Sequence, residues 1–134
     1  MAPTFLTLDE VVVIHEDQIA RYGGADGVRD WGLLQSAIAV PVATFGGRFL
    51  HSDLYEMAAA YLFHLVQNHP FIDGNKRVGA LAAYVFLAMN DLRLTADNSD
   101  YADLVLSIAR GKMPKSSVAE FFRANTTPAA TGKT

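Results

Sequence analysis

The segment His69-Pro-Phe-Ile-Asp-Gly-Asn-Lys-Arg77 gathers an imidazole, a carboxylate, two cationic side chains and a glycine turn within nine residues. Together those residue types suit phosphoryl transfer. Asp73 is a hard oxygen donor of the kind Mg2+ accepts, since that ion keeps much of its water and bridges one or two carboxylates to phosphate oxygens. Gly74 and Asn75 permit close backbone approach, and Lys76 and Arg77 add cationic donors. Histidine is the side chain suited to moving protons near neutral pH, so His69 is the candidate acceptor for the proton of an attacking hydroxyl. Phe71 is expected to point inward and pin the segment to the core, while Pro70 keeps Asn68-His69 out of helical geometry.

The elements on either side must position these groups. A helical run ends near Asn68 and an almost wholly apolar run follows to Asn90, so the second half of the segment should form a helix N-terminus. Such an end binds anions, because its first backbone N–H groups lack partners and the helix dipole favours negative charge there. A lone Asp-Gly before a helix is more often a turn and a cap, and a lone histidine after one a cap or surface residue. The combination, with the helix start where a phosphate needs it, favours chemistry.

Six helices are expected in all. Thr7-Leu-Asp-Glu10 reads as a capping box with Leu6 and Val11 as its hydrophobic staple, and Leu8, Val12, His15, Ile19 and Tyr22 keep helical spacing until Gly23-Gly24. Asp30 should cap a short helix over 31–40, closed before Pro41. Residues 42–50, with Gly46-Gly47, read as a loop or short β-hairpin flap. Ser52 should start the next helix, striped by Leu54, Met57, Ala58, Tyr61 and Leu65. The helix over 78–89 is apolar on most sides and is expected to be the buried central one. Two more are expected, over 99–110 with Gly111 as C-cap and over 118–125 behind a Ser117/Glu120 capping box. The expected architecture is a single all-α domain over 1–125 around a buried central helix, with 126–134 as a flexible tail.

Composition narrows the partners. The 134 residues include no cysteine, which excludes thiolate catalysis, cysteine zinc sites and disulfide frameworks. A net charge of −3 lacks the basic excess of a protein that grips nucleic acid by charge, so direct nucleic-acid binding is not expected. The longest apolar run, over 78–89, is well short of the roughly 20 residues that span a bilayer, and no basic-then-apolar leader opens the chain. A cytoplasmic location is expected.

Other residues tempt and are set aside. Gly132-Lys-Thr134 copies the end of a phosphate-binding loop, but Thr127 occupies the place of its first glycine. His64 and His69 are five apart, about 140° around a helix, and cannot share a face as zinc-binding histidines do. His15 falls on the apolar stripe of the first helix and is expected to be buried and hydrogen-bonded. Arg29-Asp30 reads as an ion pair or a helix cap before it reads as a target surface.

Through His69, Pro70, Phe71, Asp73, Gly74, Asn75 and Arg77 the chain resembles the Fic/Doc superfamily, in which His-Pro-Phe-x-Asp/Glu-Gly-Asn-Gly-Arg-x-x-Arg opens a central helix. Lys76 stands where that pattern has its second Gly, and Ala80 where it has its last Arg. Both departures resemble the Doc branch, the death-on-curing toxins of toxin–antitoxin modules. The likeness extends to Phe5-Leu-Thr-Leu-Asp-Glu10 with His15, to Gly23-Gly24, to Gly27-Val-Arg-Asp30 and to Leu33-Leu34-Gln-Ser-Ala37. In Fic proteins the pattern transfers AMP from ATP, holding the α-phosphate over the glycine turn and the outer phosphates on the last arginine. The Doc resemblance implies a reversed nucleotide and transfer of the γ-phosphoryl group to a protein hydroxyl.

The resemblance further implies ATP and Mg2+ as cofactors, His69 as base, Asp73 as metal ligand, and Lys76, Arg77 and the Gly74-Asn75 backbone as phosphate cradle. It implies translation elongation factor Tu as target and a Phd-like antitoxin as partner. Ser116 and Glu120 have the spacing of the Fic inhibitory helix, but Phe121 stands where that motif has Gly or Asn, so inhibition is expected from a separate chain. AMP transfer and a non-catalytic antitoxin- or ribosome-binding module are the alternatives.

Overall fold

A computed structural model describes residues 2–129 of the chain. Helix α1 (Leu8–Tyr22) starts at the expected capping box: Thr7 N–H donates to Glu10 Oε1 at 2.8 Å and Glu10 N–H to Thr7 Oγ1 at 3.2 Å. Leu6 and Val11 are buried beside it, as a staple requires. Helix α2 (Trp31–Val42) is capped by Asp30, whose Oδ1 accepts from Leu33 N–H at 2.9 Å. It runs through Pro41 instead of stopping before it. A proline this late removes one N–H from the final turn, and its buried ring helps offset that loss. Strands β1 (Thr44–Phe45) and β2 (Arg48–Phe49) then form the small hairpin flap around Gly46-Gly47.

Helix α3 (Leu54–Asn68) is capped by Asp53, not Ser52, through Asp53 Oδ1 accepting Glu56 N–H at 2.8 Å. This helix is the innermost one, where the periodicity had pointed to α4 (Asn75–Met89). Residues 57–62 of α3 are all buried, with α2, α4, α5 (Asn98–Ala109) and α6 (Lys115–Ala124) packed around it, whereas Tyr84 of α4 is 45% exposed. Three successive small residues, Ala58, Ala59 and Ala60, let neighbours approach from every side. Polar residues near its ends, Glu56 and Gln67, had made α3 look amphipathic; Gln67 in fact donates its side-chain N–H to Ile108 O.

Helix α4 crosses α3 closely at Gly79, where a Cβ would lie 2.9 Å from Val66 Cγ2. That contact, with Val78, Ala82, Phe86 and Leu87 buried around it, fixes the start of α4 relative to the end of α3. Helix α5 begins at Asn98 and ends at Ala109, with Gly111 left-handed beyond it at φ 72°. Helix α6 starts three residues before the expected position, because Pro114 O accepts Ser117 and Val118 N–H at 3.0 and 3.2 Å. Ser117 thus lies inside the first turn and no Ser117/Glu120 capping box forms.

Strands β3 (Leu92–Leu94) and β4 (Thr126–Pro128) pair antiparallel, so the first residues of the expected tail are ordered in a sheet. Leu92 and Leu94 pack against the core, which gives β3 a half-buried face to anchor that pairing. Gly132-Lys-Thr134 lies outside the described residues.

Candidate active site

The residues 69–77 join the end of α3 to the start of α4, and their backbone is held from outside. His69 is left-handed at φ 48° and ψ 52°, a conformation that costs a non-glycine residue energy and persists only when neighbours fix it. Arg29 does so: its Nε donates to His69 O at 2.7 Å and its Nη2 to Asn68 O at 3.0 Å. Those carbonyls belong to the C-terminal turn of α3, which has no helical partners for them. Pro70 O accepts the N–H groups of Arg29 and Asp30 at 2.8 and 3.1 Å, and Ile72 N–H donates to Gly27 O at 3.0 Å.

Arg29 therefore clamps the backbone of the candidate base, while Asp30 is the helix cap. Nothing in the spacing of residues 40 positions apart signals that role.

Phe71 is buried and stacks on the buried His15 ring, with centroids 4.0 Å apart and planes 7° from parallel. His15 Nε2 lies 2.8 Å from Asp73 O. Since a carbonyl oxygen only accepts, that nitrogen carries the proton and donates. The histidine set aside as a core residue is thus buried as expected, and it also holds the segment's backbone. Asn75 clamps the turn with its side chain, accepting from Phe71 N–H at 2.9 Å and donating to Phe71 O at 3.0 Å.

Asp73 faces the α1–α2 connection. Its Oδ2 accepts from Ala25 N–H at 3.2 Å and its Oδ1 from Gly74 N–H at 2.8 Å. The bond from Ala25, then that from Gly74, then the nearby Arg77 and His15, hold its pKa below the ordinary carboxylate value. Gly24 makes this approach possible: at φ 118°, a Cβ there would sit 2.7 Å from Asp73 Oδ2.

Helices α1, α2 and α3 each start at a side-chain cap, whereas α4, like α5 and α6, starts without one, on the left-handed Gly74. Val78 is the first residue whose N–H closes back, onto Gly74 O at 2.9 Å, which leaves the N–H groups of Asn75, Lys76 and Arg77 without helical partners. Lys76 is exposed and its amine makes no hydrogen bond or ion pair among the described residues. Arg77 donates from Nη2 to Gly23 O at 3.0 Å and from Nη1 to Gln18 O at 3.5 Å, leaving the remaining donors of its fork for a ligand. The His69 side chain is likewise exposed and has no partner among the described residues.

Ser116 and Glu120 lie elsewhere. They line a cavity of about 330 Å³ with His51, Glu56, Lys115 and Arg123, and none of residues 69–77 borders it. Among the described residues no group of three or more His, Cys, Asp or Glu could hold a metal by itself. No described helix is long and apolar enough to cross a membrane.

The candidate side chains of this turn sit at the start of α4 on a helical scaffold, the arrangement of a transferase of the Fic type. The Fic/DOC family model matches residues 5–87, and the chain belongs to the Fic/Doc family, on its Doc toxin branch. Over 90 residues it is 44% identical to Toxin Doc of Mycolicibacterium smegmatis, covering 67% of this chain and 68% of that protein. Over 115 residues it is 34% identical to Protein kinase doc of Escherichia phage P1, covering 86% of this chain and 90% of that protein.

Proposed function

We propose that this Doc-like toxin transfers the γ-phosphoryl group of ATP to a protein hydroxyl. One observation carries the reading: the turn's backbone is satisfied by Arg29, His15 and Asn75, so the side chains of His69 and Lys76 have no partner among the described residues. His69 accepts the hydroxyl proton as the oxygen forms its bond to the γ-phosphorus and the bond to the β-phosphate oxygen breaks, releasing ADP. Lys76, Arg77 and the N–H groups of Asn75, Lys76 and Arg77 take the phosphate charge, with Gly74 giving room at the turn.

Mg2+ fits this donor set. Asp73 is a single exposed carboxylate held in its ionised form, and an ion that prefers water and phosphate oxygens needs no larger cluster. Bound there, it would neutralise phosphate charge.

Phosphoryl rather than AMP transfer is supported by Lys76, which adds a side chain and a charge at the glycine turn, and by Ala80, which leaves outer phosphates no arginine. The name of the phage relative, Protein kinase doc, agrees. The target is translation elongation factor Tu, in the cytoplasm, and the inhibitor a Phd-like antitoxin chain. Incubation of that factor with ATP labelled at the γ or at the α phosphorus separates the reactions. Label is expected to move from the γ position only; transfer from the α position would establish AMP transfer.

A further inference from the structure

Ile72 is apolar, lies in the turn between the candidate base and the candidate metal ligand, and is 56% exposed. Single exposed apolar residues are ordinary on a protein surface, so the placement of this one carries the argument. Phe71 pairs with Val28 in an isolated antiparallel bridge, flanked by the bonds from Arg29 N–H to Pro70 O at 2.8 Å and from Ile72 N–H to Gly27 O at 3.0 Å. Successive residues of such a ladder point to opposite faces. Phe71 turns inward onto His15, so Ile72 turns outward, and the residue across the ladder from it is Gly27, which has no side chain. The Ile72 side chain lies over that bare backbone: a Cβ on Gly27 would sit 3.1 Å from Ile72 Cδ1. Ladder and contact together hold an aliphatic group in a fixed place on the outer surface.

Ile72 is three positions from His69, a reach of at most about 11 Å along the backbone. A polypeptide that brings a hydroxyl to the His69 imidazole therefore carries its neighbouring residues over or beside Ile72. The backbone N–H of Ile72 is spent on Gly27 and its side chain has no donor, so it offers a phosphate nothing. What it offers a polypeptide is apolar area already held in position, which costs little further ordering when a partner covers it. We propose that Ile72 is a specificity-determining residue for the protein acceptor, packing against an apolar side chain that flanks the hydroxyl to be modified. The inference rests on the transfer reading and deepens it by naming the class of acceptor, a hydroxyl residue with an apolar neighbour.

Steady-state transfer from γ-labelled ATP to translation elongation factor Tu, at saturating Mg-ATP, tests this role. Ile72→Ser, which removes the aliphatic group and keeps the backbone ladder, should raise the KM for the factor about five- to tenfold and hold kcat within about twofold. Ile72→Leu, which keeps the apolar area, should stay within about twofold of the wild type on both. Mg-ATP affinity by calorimetry and the thermal midpoint should match the wild type in both variants, because the Ile72 side chain lies outside the core and apart from the phosphate-binding groups. A KM for Ile72→Ser within about twofold of the wild type, or a raised KM accompanied by an equal loss of Mg-ATP affinity or a lowered thermal midpoint, would overturn the assignment and leave the transfer reading standing. Transfer of the α label in place of the γ label would overturn the phosphoryl reading, and the KM comparison would still decide the role of Ile72. A wild-type chain that modifies no factor would overturn both.

Discussion

The two ends of α3 carry similar collections of polar side chains and dispose of them in opposite ways. At the N-terminal end Asp53 Oδ1 caps the helix and its Oδ2 meets Arg123 Nη2 at 3.1 Å. Glu56 Oε2 meets the same nitrogen at 3.1 Å and its Oε1 accepts Ser52 N–H at 2.9 Å. Those side chains are spent on one another. At the C-terminal end the orphan carbonyls of Asn68 and His69 are taken by Arg29, reaching in from the α1–α2 connection, and the imidazole of His69 has no partner among the described residues. Gln67 and Asn68 spend their amides on Ile108 O and Leu33 O, so what that end leaves for a ligand, among the described residues, is the His69 side chain alone.

Substitutions at the two ends should therefore separate activity from stability. The largest effect is expected from His69→Ala, which should lower transfer about 10²–10⁴-fold, the usual contribution of a general base, and leave the thermal midpoint unchanged. Loss of growth arrest on expression follows from the same variant; a binding module would stay toxic. Next comes Arg29→Ala, which removes two charge-assisted bonds and should cost about 1.5–3 kcal/mol in chemical denaturation as well as activity. Arg29→Lys should restore only part of both, since an ammonium cannot reproduce the fork.

A third, smaller effect is set by pH along the α3–α6 contact. His64 Nε2 lies 3.0 Å from Lys115 Nζ; burial first, then the charge of Lys115 and the nearby His51, lowers the His64 pKa to about 4. The unfolded chain, with a histidine pKa near 6.5, binds more protons between those values. Stability contributed by neutral His64 is thus complete above pH about 6.5 and lost as pH falls toward 4, and denaturation midpoints for His64→Gln should show a flatter slope across that window. The smallest effect is expected from Arg123→Ala, an exposed ion pair worth about 0–1 kcal/mol, with transfer rates unchanged.

Much of this arrangement was legible in residue order. The His69–Arg77 segment announces itself because its groups are neighbours in the chain, and the caps at Thr7 and Asp30 follow from local rules. What escaped was whatever depends on distant residues meeting. Arg29 and Gly24 act on atoms 39 or more positions away, so neither role leaves a local pattern. The centrality of α3 was hidden because small residues bury well without looking strongly apolar, and β4 because a short pair of strands is stabilised by its partner more than by its own composition.

The central proposal, that the His69 imidazole beside the start of α4 takes the hydroxyl proton in phosphoryl transfer, is tested most directly by intact-mass analysis of translation elongation factor Tu. The factor would be incubated with Mg-ATP and either the wild-type chain or His69→Ala. A phosphate-sized increment with the wild type and none with the variant is the predicted result. A nucleotide-sized increment, or equal modification by both proteins, would contradict it.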